Sequence, residues 1–284
     1  MELKFENTLK IEEKILDKVN KNILSNTILF YGNSGVGKST LVQNLCKKIL
    51  NRESLISPDL LVVNDNNKSI GIDDIRNAIE FSNMGSVYGN KILVLDSIDN
   101  MSISAINATL KLLEEAPVGL YIFLITTNFY ILPQTLRSRC MQFYIEKPSN
   151  EDFFNYINVK LGSHEIGRGC IDYLYTVCEG NLNLVYGFLS TVGNEVIEIL
   201  SQDKMDNINL IEILEKTSDN NFEVSIKIIL FEISRTVVAT EHYMRDKLIN
   251  KFEFIRDEHN KIKQYSLSKA NVLFTIKNSL SELV

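Results

Sequence analysis

Apolar and polar positions fall into blocks along the first half of the chain, and the period changes from block to block. Residues 26–31 (NTILFY) form a short apolar run that stops at glycine, which predicts a buried strand. Residues 38–50 place Leu41, Val42, Leu45 and Ile49 at helical spacing. Residues 59–64 (DLLVVN) predict a second strand, and residues 73–81 a helix with Asp73 as its cap. Residues 91–96 (KILVLD) are apolar nearly throughout, as expected of a strand covered on both faces. Residues 102–115 predict a helix with Ile103, Ile106, Leu110 and Leu113 on one side. Residues 120–126 and 141–145 supply a fourth and a fifth strand. Strands alternating with helices predict an α/β domain, a parallel sheet with helices on both faces.

After Pro148 the strand-like runs stop and the chain reads as helix to its last residue. Phe222, Ile226, Ile229, Ile233 and Val237 trace one face of a long helix, and Val272, Ile276 and Leu280 do so again. A polar stretch at residues 201–207 (SQDKMDN) marks a soft boundary. The expected layout is an α/β domain at residues 1–147, a small helical domain at 148–202 and a second helical domain at 203–284.

Composition narrows the function classes. The chain has 284 residues, 45% of them apolar, enough for one large or two to three modest cores. A net charge of -6 excludes a generally basic nucleic-acid binder. Lys47, Lys48 and Arg52 are too few to argue a patch from and read better as a solvated helix face. The first residues, MELKFE, carry an early acid and no apolar core segment, so no signal peptide is expected. The longest apolar stretch, residues 120–125, is too short to span a bilayer; a soluble cytoplasmic protein without membrane contact is expected. Four cysteines, Cys46, Cys140, Cys170 and Cys178, form no C-x-x-C pair. They read as ordinary buried or half-buried thiols, with no zinc site.

The chemistry begins at Gly32-Asn33-Ser34-Gly35-Val36-Gly37-Lys38-Ser39, the pattern G-x-x-x-x-G-K-[ST], after a predicted strand and opening a predicted helix. Glycines let the backbone curl so that N–H groups converge on phosphate oxygens, and the helix N-terminus adds partial positive charge. Lys38 is expected to reach the β- and γ-phosphates of ATP, and Ser39 to ligate Mg²⁺. Thr40 follows in the same turn. Asp96 ends an apolar strand, the position from which a carboxylate holds Mg²⁺ beside Ser39 in such a fold; the alternative is a strand-end acid in a turn. The next residue is Ser97, where ATPases of this class usually carry a glutamate to orient the attacking water. A hydroxyl cannot accept a proton as a carboxylate does.

Further segments point to a family. Residues 107–117 (NATLKLLEEAP) closely resemble the N-A-L-L-K-x-L-E-E-P-P segment of bacterial DNA polymerase III clamp-loader subunits. Residues 70–76 (IGIDDIR) are similar to their I-x-V-D-x-I-R segment, and residues 132–140 (LPQTLRSRC) to L-L-P-T-I-R-S-R-C. The resemblance is strong over residues 26–148, looser beyond, and best to the delta-prime branch of these AAA+ proteins. It implies a phosphate-loop AAA+ domain, then a helical lid and a C-terminal helical collar. It also implies Mg²⁺ and ATP as cofactors, partnership with tau/gamma and delta subunits, and contact with the sliding clamp and primer-template DNA through the complex. Ser138-Arg139-Cys140 then places Arg139 as an arginine finger for the next subunit's ATP site. A guanidinium there spreads charge over the γ-phosphoryl oxygens and is worth about 10³–10⁵ in rate. The alternative for Arg139 is a surface ion pair. Thr127 falls at the family's γ-phosphate sensor, with a turn or capping hydroxyl as the alternative.

Three departures shape the expectation. Ser97 replaces the acid. The second sensor, an arginine in a G-x-x-R pattern, falls on Asn183 of Gly180-Asn181-Leu182-Asn183. The four-cysteine zinc module that many members carry after the first helix has no counterpart in residues 51–58. The expected role is a delta-prime-like stator that binds ATP, hydrolyses it poorly and completes a neighbour's site. The alternatives are a catalytically active tau/gamma-type subunit or a stand-alone P-loop phosphoryl-transfer enzyme, for which no separate substrate residues stand out.

Overall fold

Each apolar run of the first half is a strand in the computed structural model: β1 Thr27–Tyr31, β2 Leu60–Asn64, β3 Lys91–Asp96, β4 Leu120–Thr126 and β5 Met141–Tyr144. The structure describes residues 5–21, 26–64, 70–162, 166–202, 205, 207–219, 221–239, 242–265 and 268–281. The strands are parallel, in the order β2-β3-β4-β1-β5. Their apolar runs are continuous because alternate residues enter opposite cores. Ile28, Phe30, Ile92, Val94, Phe123 and Ile125 join Leu41, Val42 and Leu45 of α2 (Lys38–Ile49) on one face. Leu29, Leu93, Leu95, Ile122 and Leu124 join Ile75 of α3 (Ile72–Asn83) and Leu112 of α4 (Ile103–Glu114) on the other. The expected α/β architecture is thus realised as three layers.

The strand order fixes where a ligand can sit. β1 lies between β4 and β5, with Tyr31 beside Thr126 and beside Tyr144. From β1 the chain crosses to β2 at one edge; from β4 it passes β1 to β5 at the other. That reversal opens a crevice at the carboxyl end of β1, the usual ligand position of open α/β sheets.

Four elements were not expected from the pattern. α1 (Glu6–Asn20) buries Ile15 fully, but Glu12 shares its inward face. Lys48 of α2 closes on that carboxylate at 2.9 Å. A charge on the core side interrupts the apolar stripe and hides the helix. Two 3-10 turns, Ile98–Asn100 and Phe129–Ile131, and the single-turn α5 (Gln134–Arg137) are too short to show a period. The cap of α3 also differs: Asp74, not Asp73, accepts the Gly71 N–H at 2.9 Å, while Asp73 pairs with Arg76 at 2.7 Å. Asp74 sits one turn in, where its carboxylate reaches back to an orphan amide. Of the three basic residues expected on a solvated face, Lys48 stays exposed while its ammonium meets Glu12, and Arg52 lies over the exposed Tyr88 ring at 3.9 Å.

At the amino end of the sheet a polar knot shapes the turn before β3. Asp59 is fully buried and accepts the N–H groups of Val87 and Tyr88 at 2.9 and 2.8 Å. Lys91 donates to the Met84 carbonyl at 2.7 Å and to that of Phe81. These bonds answer the desolvation of both groups, at the end of the sheet away from the crevice.

The chain divides into two compact units, Met1–Pro148 and Ser149–Val284. The second is built of α6 (Asn150–Leu161), α7 (Arg168–Val177), α8 (Leu182–Leu189), α9 (Asn194–Leu200), α10 (Asn207–Glu215), α11 (Phe222–Ala239), α12 (His242–Tyr265) and α13 (Lys269–Ser281). The expected stripe on α11 is buried at Phe222, Ile226, Ile229 and Ile233, and only half-buried at Val237. Val272, Ile276 and Leu280 are buried along α13. Glu232, buried on α11, accepts from the Tyr173 hydroxyl at 3.0 Å and from Arg235 at 2.9 Å. Of the polar stretch at 201–207, residues 203, 204 and 206 lie outside the described residues.

The cysteines are free, buried at Cys46, Cys170 and Cys178 and half-buried at Cys140. Burial pushes all four thiols up to about 12, which keeps them protonated and unreactive. Among the described residues no helix is long and apolar enough to cross a membrane.

Candidate nucleotide site at the carboxyl end of the sheet

The loop after β1 folds against Ile145, the residue that follows β5. Ile145 donates its N–H to the Tyr31 carbonyl at 2.8 Å. Its own carbonyl then faces Gly32 so closely that a Cβ there would stand 2.3 Å from the oxygen. Only glycine fits. Gly35 and Gly37 follow with φ of 71° and 98°, left-handed conformations that favour glycine. Val36 between them is fully buried and pins the loop to the core. Asn33 and Ser34 stay exposed at the crest. Gly37 is the N-cap of α2, and no side chain caps it, so the first turn presents uncapped amides to the crevice.

Lys38 is 5% exposed and donates to the carbonyls of Gly32 at 2.8 Å and Asn33 at 2.6 Å. Burial lowers its pKa to about 8, although the charges of Asp96 and Asp99 pull the other way. Ser39 points to the end of β3, where its hydroxyl donates to Asp96 Oδ2 at 2.9 Å. The two residues assigned to Mg²⁺ from the sequence are therefore in contact. Thr40, the next residue, is exposed. Ser97 takes a left-handed conformation, φ 61° and ψ 46°, and its hydroxyl reaches Asp96 Oδ1 at 3.3 Å. The position that follows the strand-end acid thus carries a hydroxyl directed back onto that acid.

Asp99 is the residue that sequence reasoning passed over. It lies in the 3-10 turn after β3 and gathers the end of β4. Its Oδ1 accepts the Thr126 hydroxyl at 2.9 Å and the Thr127 N–H at 3.2 Å; its Oδ2 accepts the Thr127 hydroxyl at 2.9 Å. Burial pushes the carboxyl up, but the bonds from Thr126 and Thr127 outweigh it and hold the group below the usual aspartate range. The available signal was a second acid three residues after the strand-end acid.

Arg139 stands apart from the loop, just past α5. Its guanidinium donates to the Thr135 carbonyl at 2.9 Å and pairs with Glu114 at the end of α4. The side chain is 39% exposed and that of Glu114 52%, so the pair itself is worth little. Asn183 is exposed on α8, in the second unit. Beside the loop, the Tyr31 ring lies tilted against Phe129 and Tyr144, with centroids 4.3 and 5.3 Å away.

Chemically, the loop offers amides, a buried ammonium and a hydroxyl–carboxylate pair around one cradle that admits no Cβ. That donor set fits a phosphate chain with a hard divalent cation.

Known proteins resemble this chain in sequence and in fold. Residues 8–149 match the family model described as DNA polymerase III, delta subunit. A DNA polymerase III gamma/tau subunit of Mycoplasma genitalium is 25% identical over 235 residues, covering 72% of this chain and 39% of that protein. A delta' subunit of Buchnera aphidicola is 34% identical over 97 residues, covering 34% of this chain and 30% of that one. The chain thus spans well under two thirds of the curated relatives it matches. In fold, a gamma subunit-related protein of Thermotoga maritima aligns over 97% of this chain and 98% of its own, with TM-score 0.52 and 19% identity. The Thermotoga maritima RuvB branch migration motor aligns over 82% of this chain and 78% of its own, with TM-score 0.53 and 16% identity. The fold is that of α/β AAA+ proteins. Since the family model spans half of the chain, the protein belongs to the clamp-loader family of DNA polymerase III subunits.

Proposed function

We propose that the chain is a delta-prime-like clamp-loader subunit. It holds ATP with Mg²⁺, turns it over slowly at most, and acts as a stator in a ring with tau/gamma and delta subunits that loads a sliding clamp onto primer-template DNA. Residues 148–202 form a helical lid domain, residues 203–284 enter a collar, and Arg139 completes the next subunit's site. One observation carries the reading: a fully shaped phosphate loop next to a Ser97 that has no basic carboxylate and is turned onto Asp96. Gly32, Asn33, Ser34, Gly35, Val36, Gly37 and Thr40 would frame the phosphates, Lys38 would neutralise them, and Ser39 and Asp96 would hold the cation. The exposed Arg139 supports a role outward from this chain. The purified chain is expected to bind ATP and to hydrolyse it very slowly; rapid turnover by the chain alone would sink the stator reading. Tau/gamma- and delta-type subunits are expected to co-purify with it. An active tau/gamma-type role is the second reading, favoured by the 72% span of the match to the Mycoplasma protein; the same turnover assay separates the two.

Lys38 gives a pH signature. With a pKa of about 8, the free side chain loses its proton between pH 7 and 9, whereas a phosphate chain keeps it charged. Nucleotide affinity is expected to fall about tenfold from pH 7 to pH 9. The effect on folding has the opposite sign. Unfolded lysine titrates at 10.5, so between about pH 8 and 10.5 the unfolded chain binds more protons, and the Lys38 contribution to stability rises with pH. ADP titrations across this range check the affinity, and Lys38→Arg, which stays charged, is expected to flatten the profile.

A further inference from the structure

Thr127 directly follows β4, whose last residue Thr126 lies beside Tyr31 of the strand that carries the phosphate loop. A threonine hydroxyl has one proton to donate. Thr127 gives it to Asp99 Oδ2 at 2.9 Å. The direction of this bond is fixed by chemistry, because an ionised carboxylate accepts only. The other oxygen of Asp99 is fixed as well, by the Thr126 hydroxyl and the Thr127 N–H. What Thr127 can still turn outward is lone pairs, which a terminal phosphate repels. To donate to that phosphate, Thr127 would exchange one charge-assisted hydrogen bond for another, with no net gain. Asp99 also brings its own negative charge to the place where a third phosphate adds more, close enough for Lys38 to feel it.

We infer that Asp99 is a specificity-positioning residue that ties up the Thr127 proton, so that this site reads the first two phosphates of a nucleotide and is indifferent to the third. The inference rests on the nucleotide-holding reading above. A site of this kind keeps one conformation whether it carries a nucleoside diphosphate or triphosphate, which suits a fixed member of a ring.

The geometry supplies its own isosteric test. In Asp99→Asn the amide oxygen must stay where the backbone N–H of Thr127 donates, because that group can only donate. The amide nitrogen then falls at the Oδ2 position, donates to the Thr127 hydroxyl, and frees its proton to point outward. Affinities for Mg²⁺-ADP and for the Mg²⁺ salt of the non-hydrolysable β,γ-imido analogue of ATP are measured by calorimetry on the full chain. Wild type is expected to bind the two within about threefold, and Thr127→Val to leave that ratio unchanged. Asp99→Asn is expected to favour the triphosphate by about tenfold, and Asp99→Asn with Thr127→Val to lose that preference. The double variant separates the freed proton from the mere loss of charge, and a residue that only braces the loop would not create a preference. A strong triphosphate preference in wild type that Thr127→Val abolishes overturns the inference and leaves the nucleotide site standing. So does an Asp99→Asn chain with no new preference, or one whose preference survives Thr127→Val. Failure of wild type to bind either nucleotide overturns the nucleotide reading and the inference with it.

Discussion

Arg139→Ala is expected to slow ATP hydrolysis at the adjoining subunit's site by about 10³-fold or more, while the nucleotide affinity and the fold of this chain stay as they are. The two halves of that expectation have separate causes. The guanidinium is 39% exposed, and its partner Glu114 more so. Losing an exposed ion pair costs about 0–1 kcal/mol, and none of the loop residues touches Arg139. The side chain is nonetheless held, at the Thr135 carbonyl and at Glu114, so a planar cation is offered at a set place on the surface. Charge developing on a transferring phosphoryl group is what such a cation stabilises. Arg139→Lys is expected to rescue little, because a point charge on a flexible stem cannot span two oxygens. Single-turnover hydrolysis by a complex reconstituted with tau/gamma and delta subunits gives the measurement; an unchanged rate would remove the role.

Gly32→Ala is expected to destabilise the first unit by about 3 kcal/mol and to abolish nucleotide binding. The added Cβ would stand 2.3 Å from the Ile145 carbonyl oxygen. That oxygen belongs to backbone that is itself bonded to Tyr31, so it has nowhere to retreat. Either β5 parts from β1 or the loop shifts, and a shift spoils the convergence of amides on which phosphate binding depends. Gly85→Ala is the control. Nothing lies within 4 Å of a Cβ there, and the expected change is within about 0.5 kcal/mol. Chemical denaturation of both variants alongside wild type distinguishes the outcomes, and equal midpoints would show that the loop tolerates the methyl.

Legibility in the sequence followed the range of the interaction. The strands could be read because a buried parallel strand is apolar at nearly every position, and runs such as LYIFLIT admit few other structures. The phosphate loop could be read because its glycines, Lys38 and Ser39 are neighbours in the chain. The contact of Ser39 with Asp96 was anticipated across 57 residues only because the phosphate-loop motif implies a fold that sets a strand-end acid beside it. Asp99 escaped because its partners lie 27 and 28 residues away on another strand, and nothing in the local pattern of residues 96–101 announces them. The approach of Ile145 to Gly32 escaped for the same reason: it follows from β5 lying beside β1, a sheet order that periodicity does not encode. α1 was hidden by a different effect, a carboxylate on its inward face whose compensation comes from Lys48 in the next helix.

The seating of Gly32 against Ile145 also sets a schedule during synthesis. β1 emerges from the ribosome before the other strands of its sheet, and both strands that flank it, β4 and β5, come from the far end of the α/β unit. The loop cannot take its final shape until residue 145 is out. At about 5–20 residues per second of translation, that leaves the glycine-rich segment and the apolar edges of β1 unsatisfied for several seconds on every nascent chain. A chaperone that shields this strand, or a pause placed just after β5, would act on the one interval in which the nucleotide cradle exists in sequence but not in space.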